Sequence, residues 1–198
     1  MSSLNFNYKH PLFEKTIQLY GDRVGGQGNY EFAGLAELNN TKVILLHGNT
    51  NSLEQPADWR RFQRLINLAQ RLKKPVVLWN IHLENAATTQ HQTSLALATA
   101  IQNTKIQLVK MQLPIIAVYD DAYGWDTESG KIGWVDGCII VKQDKVGIQN
   151  HTNSKERTLK GVCKENEISE QIKKLLNELS KKPSEKLVTD RLQSLGVN

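Results

Sequence analysis

The chain contains few of the residues that cross-link a fold or interrupt its helices and strands. Of its 198 residues, 2 are cysteine and 5 are proline, and Cys138 and Cys163 are isolated from each other with no C-x-x-C spacing. This cysteine usage excludes a disulfide framework and a cysteine-rich metal site, and we expect both thiols to remain reduced. A chain of this length can bury a core that is large enough to fold without such staples.

Long apolar runs are also missing. Residues 1–10 are polar and lack the apolar centre of a signal peptide, and no run elsewhere approaches the length of a membrane span. We therefore expect a cytoplasmic protein that is not associated with a membrane. No linker-like segment divides the sequence, so the expected organisation is a single domain over residues 1–198.

Charge is only mildly unbalanced, with a formal net charge of +5. Four of the basic residues, Arg60, Arg61, Arg64 and Arg71, belong to one predicted helix. No nucleic-acid-binding motif accompanies them, so a solvated helix face is the first interpretation and a nucleic-acid partner is not expected. Among functional alternatives, a pocket for an anionic ligand such as a nucleotide phosphate is favoured over a nucleic-acid surface.

Two short apolar runs, each opened by a proline, indicate a parallel sheet. Residues 74–80 read Lys-Pro-Val-Val-Leu-Trp-Asn, and residues 113–120 read Leu-Pro-Ile-Ile-Ala-Val-Tyr-Asp. A continuous Val/Ile run suits a strand that is covered on both faces, and a helix between two such strands implies a parallel crossover. Ligands of α/β sheets bind beyond the carboxyl ends of the strands, so residues 81–87 and 121–125 are the predicted functional turns.

The rest of the pattern predicts an α/β fold that begins with a helix and a hairpin, and Asn39-Asn40 suits the positive φ values of the hairpin turn. Asp58 is the expected N-cap of the helix that follows the hairpin. The expected buried face of that helix carries Trp59, Phe62, Leu65, Ile66, Ala69 and Leu72. The glycine-rich residues 21–29 would follow a helix and not a strand, which argues against a dinucleotide-binding loop. The expected helices cover residues 11–20, 58–72, 93–111, 168–179 and 184–196, the further expected strands cover residues 30–37, 42–47, 136–141 and 145–148, and residues 150–160 are an expected mobile loop.

A series of segments along the chain carries a family likeness. They are residues 19–23 (Leu-Tyr-Gly-Asp-Arg), 32–39 (Phe-Ala-Gly-Leu-Ala-Glu-Leu-Asn), the helix and strand of 61–78, 113–118 (Leu-Pro-Ile-Ile-Ala-Val) and 190–196 (Asp-Arg-Leu-Gln-Ser-Leu-Gly). In this order they resemble the α subunit of bacterial acetyl-CoA carboxylase carboxyltransferase, a member of the crotonase superfamily. The resemblance implies a crotonase-like spiral of repeated ββα units with flanking helices, in an oligomer whose neighbouring helices complete the site.

The two predicted turns depart from that family. The resemblance implies glycine-rich turns whose N–H groups stabilise an oxyanion of carboxybiotin or of an acyl thioester, because glycine lets two amides approach one oxygen. Residues 80–87 instead read Asn-Ile-His-Leu-Glu-Asn-Ala-Ala, where the family has Thr-Pro-Gly-Ala-Tyr-Pro-Gly. Residues 119–125 read Tyr-Asp-Asp-Ala-Tyr-Gly-Trp, where the family has Gly-Glu-Gly-Gly-Ser-Gly-Gly. Losing one oxyanion donor costs about 3 kcal/mol, so we expect the family's carboxyl transfer to be lost.

Both turns still contain residues that can carry chemistry. His82 and Glu84 can act as general base and orienting group and Asp121 adds a carboxylate, although all three are also ordinary loop residues. Metal binding is not expected, because His82, Glu84 and His91 lack the spacing of zinc ligands. The residues expected to contact a ligand are Ala86, Ala87, Tyr123, Gly124 and Trp125. Trp79 and Tyr119, at equivalent ends of the two proline-led strands, are expected to lie in the core or to fill the site.

Three functions remain open at this point. The first is a carboxyltransferase-α-like protein without catalysis, acting as a binding or regulatory partner in acyl-CoA or fatty-acid metabolism. The second is an active crotonase-class enzyme on a CoA thioester (a carboxyltransferase, decarboxylase or hydrolase) with His82, Glu84 or Asp121 as acid or base. The third is carboxyl transfer with a donor that another subunit supplies. The resemblance implies a CoA thioester or carboxybiotin as ligand, no covalently bound cofactor, and a second copy or a carboxyltransferase-β-like subunit as partner.

Overall fold

A computed structural model describes residues 12–20, 28–49, 52–83, 95–120, 134–141, 159–163 and 167–196. These residues form one seven-stranded sheet whose strands follow one another in chain order. The strands are β1 (Lys15–Gln18), β2 (Tyr30–Leu38), β3 (Thr41–Gly48), β4 (Val76–Trp79), β5 (Ile115–Asp120), β6 (Gly137–Val141) and β7 (Leu159–Cys163). The helices are α1 (Pro56–Leu72), α2 (Leu95–Lys110), α3 (Ile168–Ser180) and α4 (Ser184–Ser194). None of these helices is long and apolar enough to cross a membrane.

The sheet changes from antiparallel to parallel at β3. β1, β2 and β3 pair antiparallel, and every later neighbour from β3 to β7 pairs parallel. The parallel sheet predicted from the two proline-led runs is therefore confirmed. β2, β3 and α1 make one ββα unit, and β4 and β5 are joined through α2 as expected.

The hairpin between β2 and β3 also follows the prediction. Asn39 and Asn40 form its turn with φ of 46° and 63°. Two consecutive positive φ values match the right-handed twist of the flanking strands, and asparagine tolerates them better than most residues.

The helix predicted over residues 11–20 is wrong, because this segment contains strand β1. Ile17 pairs with Leu35 of β2, and Gln18 pairs with Gly34. A Cβ on Gly34 would lie 2.1 Å from the Ile17 carbonyl oxygen, so only glycine allows this close approach. Pairing with β2 thus overrides a helical spacing of apolar residues. The argument that residues 21–29 follow a helix fails with it.

Helix α1 begins before the predicted N-cap. Gln55 caps the helix and Pro56 opens it, while Asp58 lies at the third helical position. The Gln55 N–H donates to the Asp58 side chain over 3.0 Å, so Asp58 still satisfies a backbone donor at this end. Leu72 was predicted to be buried and is 43% exposed, because the buried stripe ends at Ala69.

The core lies on both faces of the sheet. Tyr119 belongs to the cluster on the face covered by α1 and α2, and Trp79 belongs to the cluster on the face covered by α3. Both side chains are 4% exposed, which confirms their expected place in the core. The prediction that Trp79 and Tyr119 end their strands at equivalent positions was wrong by one residue, since Trp79 is level with Val118. Successive strand residues face opposite sides, so the two rings lie apart.

The C-terminal third matches the prediction in its helices and differs in one strand. Strand β6, α3 and α4 lie where the pattern placed them. Strand β7 includes residues 159 and 160, the last two of the expected loop 150–160. Its five residues lack the Val/Ile run of the other parallel strands, so pairing with β6 decides the structure. The strand expected at residues 145–148 lies outside the described residues.

Candidate functional site

The strands that precede the two predicted turns, β4 and β5, lie side by side in the sheet. Strands β3, β4 and β5 are parallel neighbours, and His47, Trp79 and Val118 are level with one another near the carboxyl edge. This edge is where an α/β sheet offers a ligand site. Of the predicted site residues, His82 belongs to the described part of the chain. The others lie outside it and stay predictions: Glu84, Ala86, Ala87, Asp121, Tyr123, Gly124 and Trp125.

Asn80, directly after β4, makes a tight bend at this edge. It has a φ of 52° and is 2% exposed, and its N–H donates to the Val118 carbonyl over 2.8 Å. The end of β3 approaches closely, since a Cβ on Gly48 would lie 2.6 Å from the Asn80 carbonyl oxygen. The first amide of the turn is therefore used in the sheet and does not face a ligand.

The next residues of the turn enter the core. Ile81 is fully buried and Leu83 is 4% exposed. The Ile81 carbonyl oxygen accepts a hydrogen bond from the Tyr119 hydroxyl, 3.0 Å away. Ile81, Leu83 and Tyr119 thus belong to the core cluster on the face of the sheet covered by α1 and α2.

His82 lies beside Tyr119. Its ring centroid is 5.0 Å from that of Tyr119, with 37° between the planes. Burial lowers the pKa of His82 from the ordinary value of 6.5, so its imidazole is neutral at pH 7. A neutral imidazole can accept a proton, which keeps His82 eligible as a general base. Over the described ranges, no three His, Cys, Asp or Glu side chains are grouped as metal ligands.

The structure places a cavity beside helix α1. Arg61, Arg64 and Arg71 line a cavity of about 320 Å³ together with Tyr20 and Leu68. The sequence interpretation treated these arginines first as a solvated face. Arg61 departs from that interpretation, since it is 3% exposed. Arg61, Leu65 and Leu68 recur at helical spacing, and this spacing was the signal in the sequence that Arg61 shares a helix face with apolar residues.

Comparison with known proteins supports the resemblance found in the sequence. Residues 3–121 match the family described as acetyl co-enzyme A carboxylase carboxyltransferase-like. The acetyl-coenzyme A carboxylase carboxyl transferase subunit alpha of Clostridium beijerinckii is 25% identical over 122 residues, which are 56% of this chain and 44% of that protein. The subunit of the same name from Clostridium perfringens is 26% identical over 122 residues, which are 56% of this chain and 45% of that protein. The chain thus spans less than half the length of these relatives.

A solved structure supports the fold over a larger part of the chain. An enoyl-CoA hydratase/isomerase family protein from Pseudomonas syringae superimposes with a TM-score of 0.50 and 12% identity, covering 83% of this chain and 91% of that one. At this identity the likeness shows the fold alone, and it confirms the predicted crotonase-like α/β architecture. Because the family match covers more than half of the chain, the protein belongs to the acetyl co-enzyme A carboxylase carboxyltransferase-like family.

Proposed function

We propose that this chain is a carboxyltransferase-α-like protein that has lost the catalytic step and acts as a binding or regulatory partner in acyl-CoA or fatty-acid metabolism. The observation that carries the proposal is the burial of the chain directly after β4. Ile81 and Leu83 are buried there, and the Tyr119 hydroxyl donates to the Ile81 carbonyl.

Oxyanion stabilisation needs backbone N–H groups that converge on one point outside the protein core. The Asn80 N–H donates to the Val118 carbonyl and is therefore not directed at a ligand. The turn that follows has no glycine from residue 80 to residue 87, so it lacks the residue that best allows two amides to approach one oxygen. Both features oppose the family chemistry at the first of the two turns.

A scaffold without catalysis can still bind. The names of the curated relatives and of the structural neighbour support a CoA thioester as ligand. We propose no covalently bound cofactor. We assign its contacts to Ala86, Ala87, Tyr123, Gly124 and Trp125. The partner is a second copy of the single domain or a carboxyltransferase-β-like subunit, because the relatives are alpha subunits.

The test is carboxyl transfer between malonyl-CoA and biotin. It is measured with the purified protein alone and with the β subunit that pairs with one of the curated α-subunit relatives. The relative's own α and β subunits serve as the positive control. We expect no transfer above a protein-free blank, together with acetyl-CoA binding by calorimetry or a stable complex with the β subunit. Transfer that scales with the concentration of this protein would overturn the proposal, and so would the absence of both kinds of binding.

A second candidate is an active crotonase-class enzyme that uses His82, with Glu84 or Asp121, as acid or base. It is favoured by the neutral imidazole that burial produces beside Tyr119. Release of free CoA from a panel of acyl-CoA and malonyl-CoA thioesters would reveal such an activity. His82→Gln should then abolish turnover, while His47→Gln, a change at the end of β3, should retain it. If both variants keep the wild-type rate, His82 has no catalytic role.

A further inference from the structure

We propose that the groove between α1 and the segment after β1 is a binding site for an oxyanion carried on an apolar body, such as an aryl or alkyl phosphate. We call it the arginine groove. It is lined by Leu19 and Tyr20 from the segment after β1, and by Arg61, Arg64, Leu68 and Arg71 from α1. It is separate from the carboxyl-edge turns and is independent of the function proposed above.

The groove is formed by one stripe of α1. Residues 61, 64, 68 and 71 recur at intervals of three and four, which places their side chains on one side of the helix. The segment after β1 closes the groove on its other side. The resulting volume of about 320 Å³ lies within the range of small-molecule sites, roughly 300–1,000 Å³.

Arg61 is held in place at the inner end of the groove. Its Nη2 donates to the Leu19 carbonyl over 2.6 Å, and its guanidinium lies 6.0 Å from the Tyr20 ring centroid and 5.6 Å from that of Tyr30. This buried side chain therefore joins β1 to α1. It brings a fixed positive charge to the groove without further ordering when a ligand arrives.

Two further guanidinium groups follow Arg61 along the stripe. Arg64 and Arg71 are exposed, so their guanidinium groups can turn toward a bound anion. Burial lowers the pKa of Arg61, and the charge of Arg64 lowers it further. An anion placed between them would relieve this repulsion, and guanidinium groups bind phosphate and carboxylate through paired N–H donors.

The surface between the arginines is apolar. Leu65 is buried beneath the groove, Leu19 and Leu68 are partly buried against the core, and Tyr20 is 40% exposed. A bare inorganic anion gains nothing from this surface, and a neutral apolar molecule gains nothing from the arginines. The lining therefore fits a molecule that has both parts.

The groove also extends away from the proposed CoA site. Helix α1 begins after the carboxyl end of β3 and ends just before β4 starts at Val76, so Arg71 lies toward the opposite edge of the sheet. A ligand spanning Arg64 and Arg71 would thus bind along the helix and not at the turns.

Four probes separate the parts of the ligand: 1-naphthyl phosphate, 1-naphthoate, 1-naphthol and inorganic phosphate. We expect 1-naphthyl phosphate to bind about tenfold or more tightly than either 1-naphthol or phosphate, since charge-assisted bonds add to apolar contact. NMR should place the shifted amides at Leu19, Tyr20 and Leu68. Equal affinity for 1-naphthoate would identify a general oxyanion site, and weaker binding would identify an organophosphate site.

The double variant Arg64→Gln/Arg71→Gln should lower the affinity for 1-naphthyl phosphate about tenfold, the loss expected for charge-assisted bonds. Lys173→Gln/Lys174→Gln removes the same charge from exposed positions of α3, on the other face of the sheet, and should bind as the wild type does. The proposal fails if both double variants weaken binding equally, if naphthol binds as tightly as its phosphate, or if the shifted amides lie elsewhere.

Discussion

Arg191 of α4 donates from Nε to Oδ1 of Asp136 over 2.8 Å, in the interior of the protein. Their side chains are 1% and 2% exposed. The same guanidinium donates to the carbonyls of Met111 and Leu113, and Asp136 accepts from the Ile115 N–H over 2.8 Å. One ion pair therefore ties the C-terminal helix to the end of α2 and to the starts of β5 and β6.

We expect Arg191→Met to lower the free energy of unfolding by about 3–5 kcal/mol, because it leaves Asp136 buried without its cation. Burial already raises the pKa of Asp136 and the Arg191 charge opposes that rise, so the variant should bind a proton at this carboxyl. Urea unfolding provides the measurement. Adding Asp136→Leu should restore part of the loss, since both buried charges are then gone.

The matched control is an ion pair of the same helix whose cation is exposed. Lys186 lies 3.1 Å from Asp190, and their side chains are 53% and 11% exposed. Lys186→Met should cost less than about 1 kcal/mol, because Lys186 is largely solvated and Asp190 keeps Lys182 3.3 Å away. Similar losses from the two variants would show that the interior pair has no special role.

The Asn39–Asn40 turn gives a prediction about backbone conformation. Asn40 has a φ of 63°, so Asn40→Gly should leave stability unchanged or raise it slightly. Asn40→Ala should lower the free energy of unfolding by about 1 kcal/mol, because alanine lacks the short polar side chain that lets asparagine tolerate the left-handed region. Chemical denaturation of the two variants compares them directly. Equal stabilities would mean that the turn adopts another conformation in solution.

Local sequence predicted the elements whose own pattern agrees with their packing. The Val/Ile runs of β4 and β5, the Asn-Asn turn and the buried stripe of α1 needed no knowledge of distant residues. Strand β1 could not be found in this way, because its stability depends on a gap at Gly34 of another strand. Strand β7 is a similar case, since its partner β6 and not its own composition makes it a strand.

The positions of the two strand ends were predictable, and the packing around them was less so. The order of the strands placed these ends at one edge, and the resemblance supplied the chemistry to look for. The burial of Ile81 and its bond to Tyr119 could not be read from the sequence, because both depend on how the chain bends after β4. The burial of Arg61 depends on its contact with the Leu19 carbonyl, which directly follows β1, an element that the pattern did not predict.

Gly34 gives a prediction about the pairing of β1 with β2. Gly34→Ala should detach β1 from β2, since the new Cβ would lie 2.1 Å from the Ile17 carbonyl oxygen. Hydrogen exchange should report this as faster exchange at Leu19, whose N–H donates to the Ala33 carbonyl over 3.0 Å. Thr16→Ala on β1 keeps the gap and should preserve protection. Unchanged exchange in Gly34→Ala would disprove the close approach.

The stability of the protein should depend on pH through His82. Its pKa in the folded state lies below the ordinary value of 6.5, because burial disfavours the charged imidazole. The unfolded chain therefore binds a proton more readily, and the stabilisation from a neutral His82 is present above about pH 6.5 and lost as the pH falls through the folded-state pKa. Urea unfolding between pH 7.5 and pH 5 should show a smaller loss on acidification in His82→Gln than in the wild type. NMR titration should find the His82 ring titrating below pH 6.5. Parallel stability curves for the two proteins would mean that the folded environment leaves the proton affinity of this histidine unchanged.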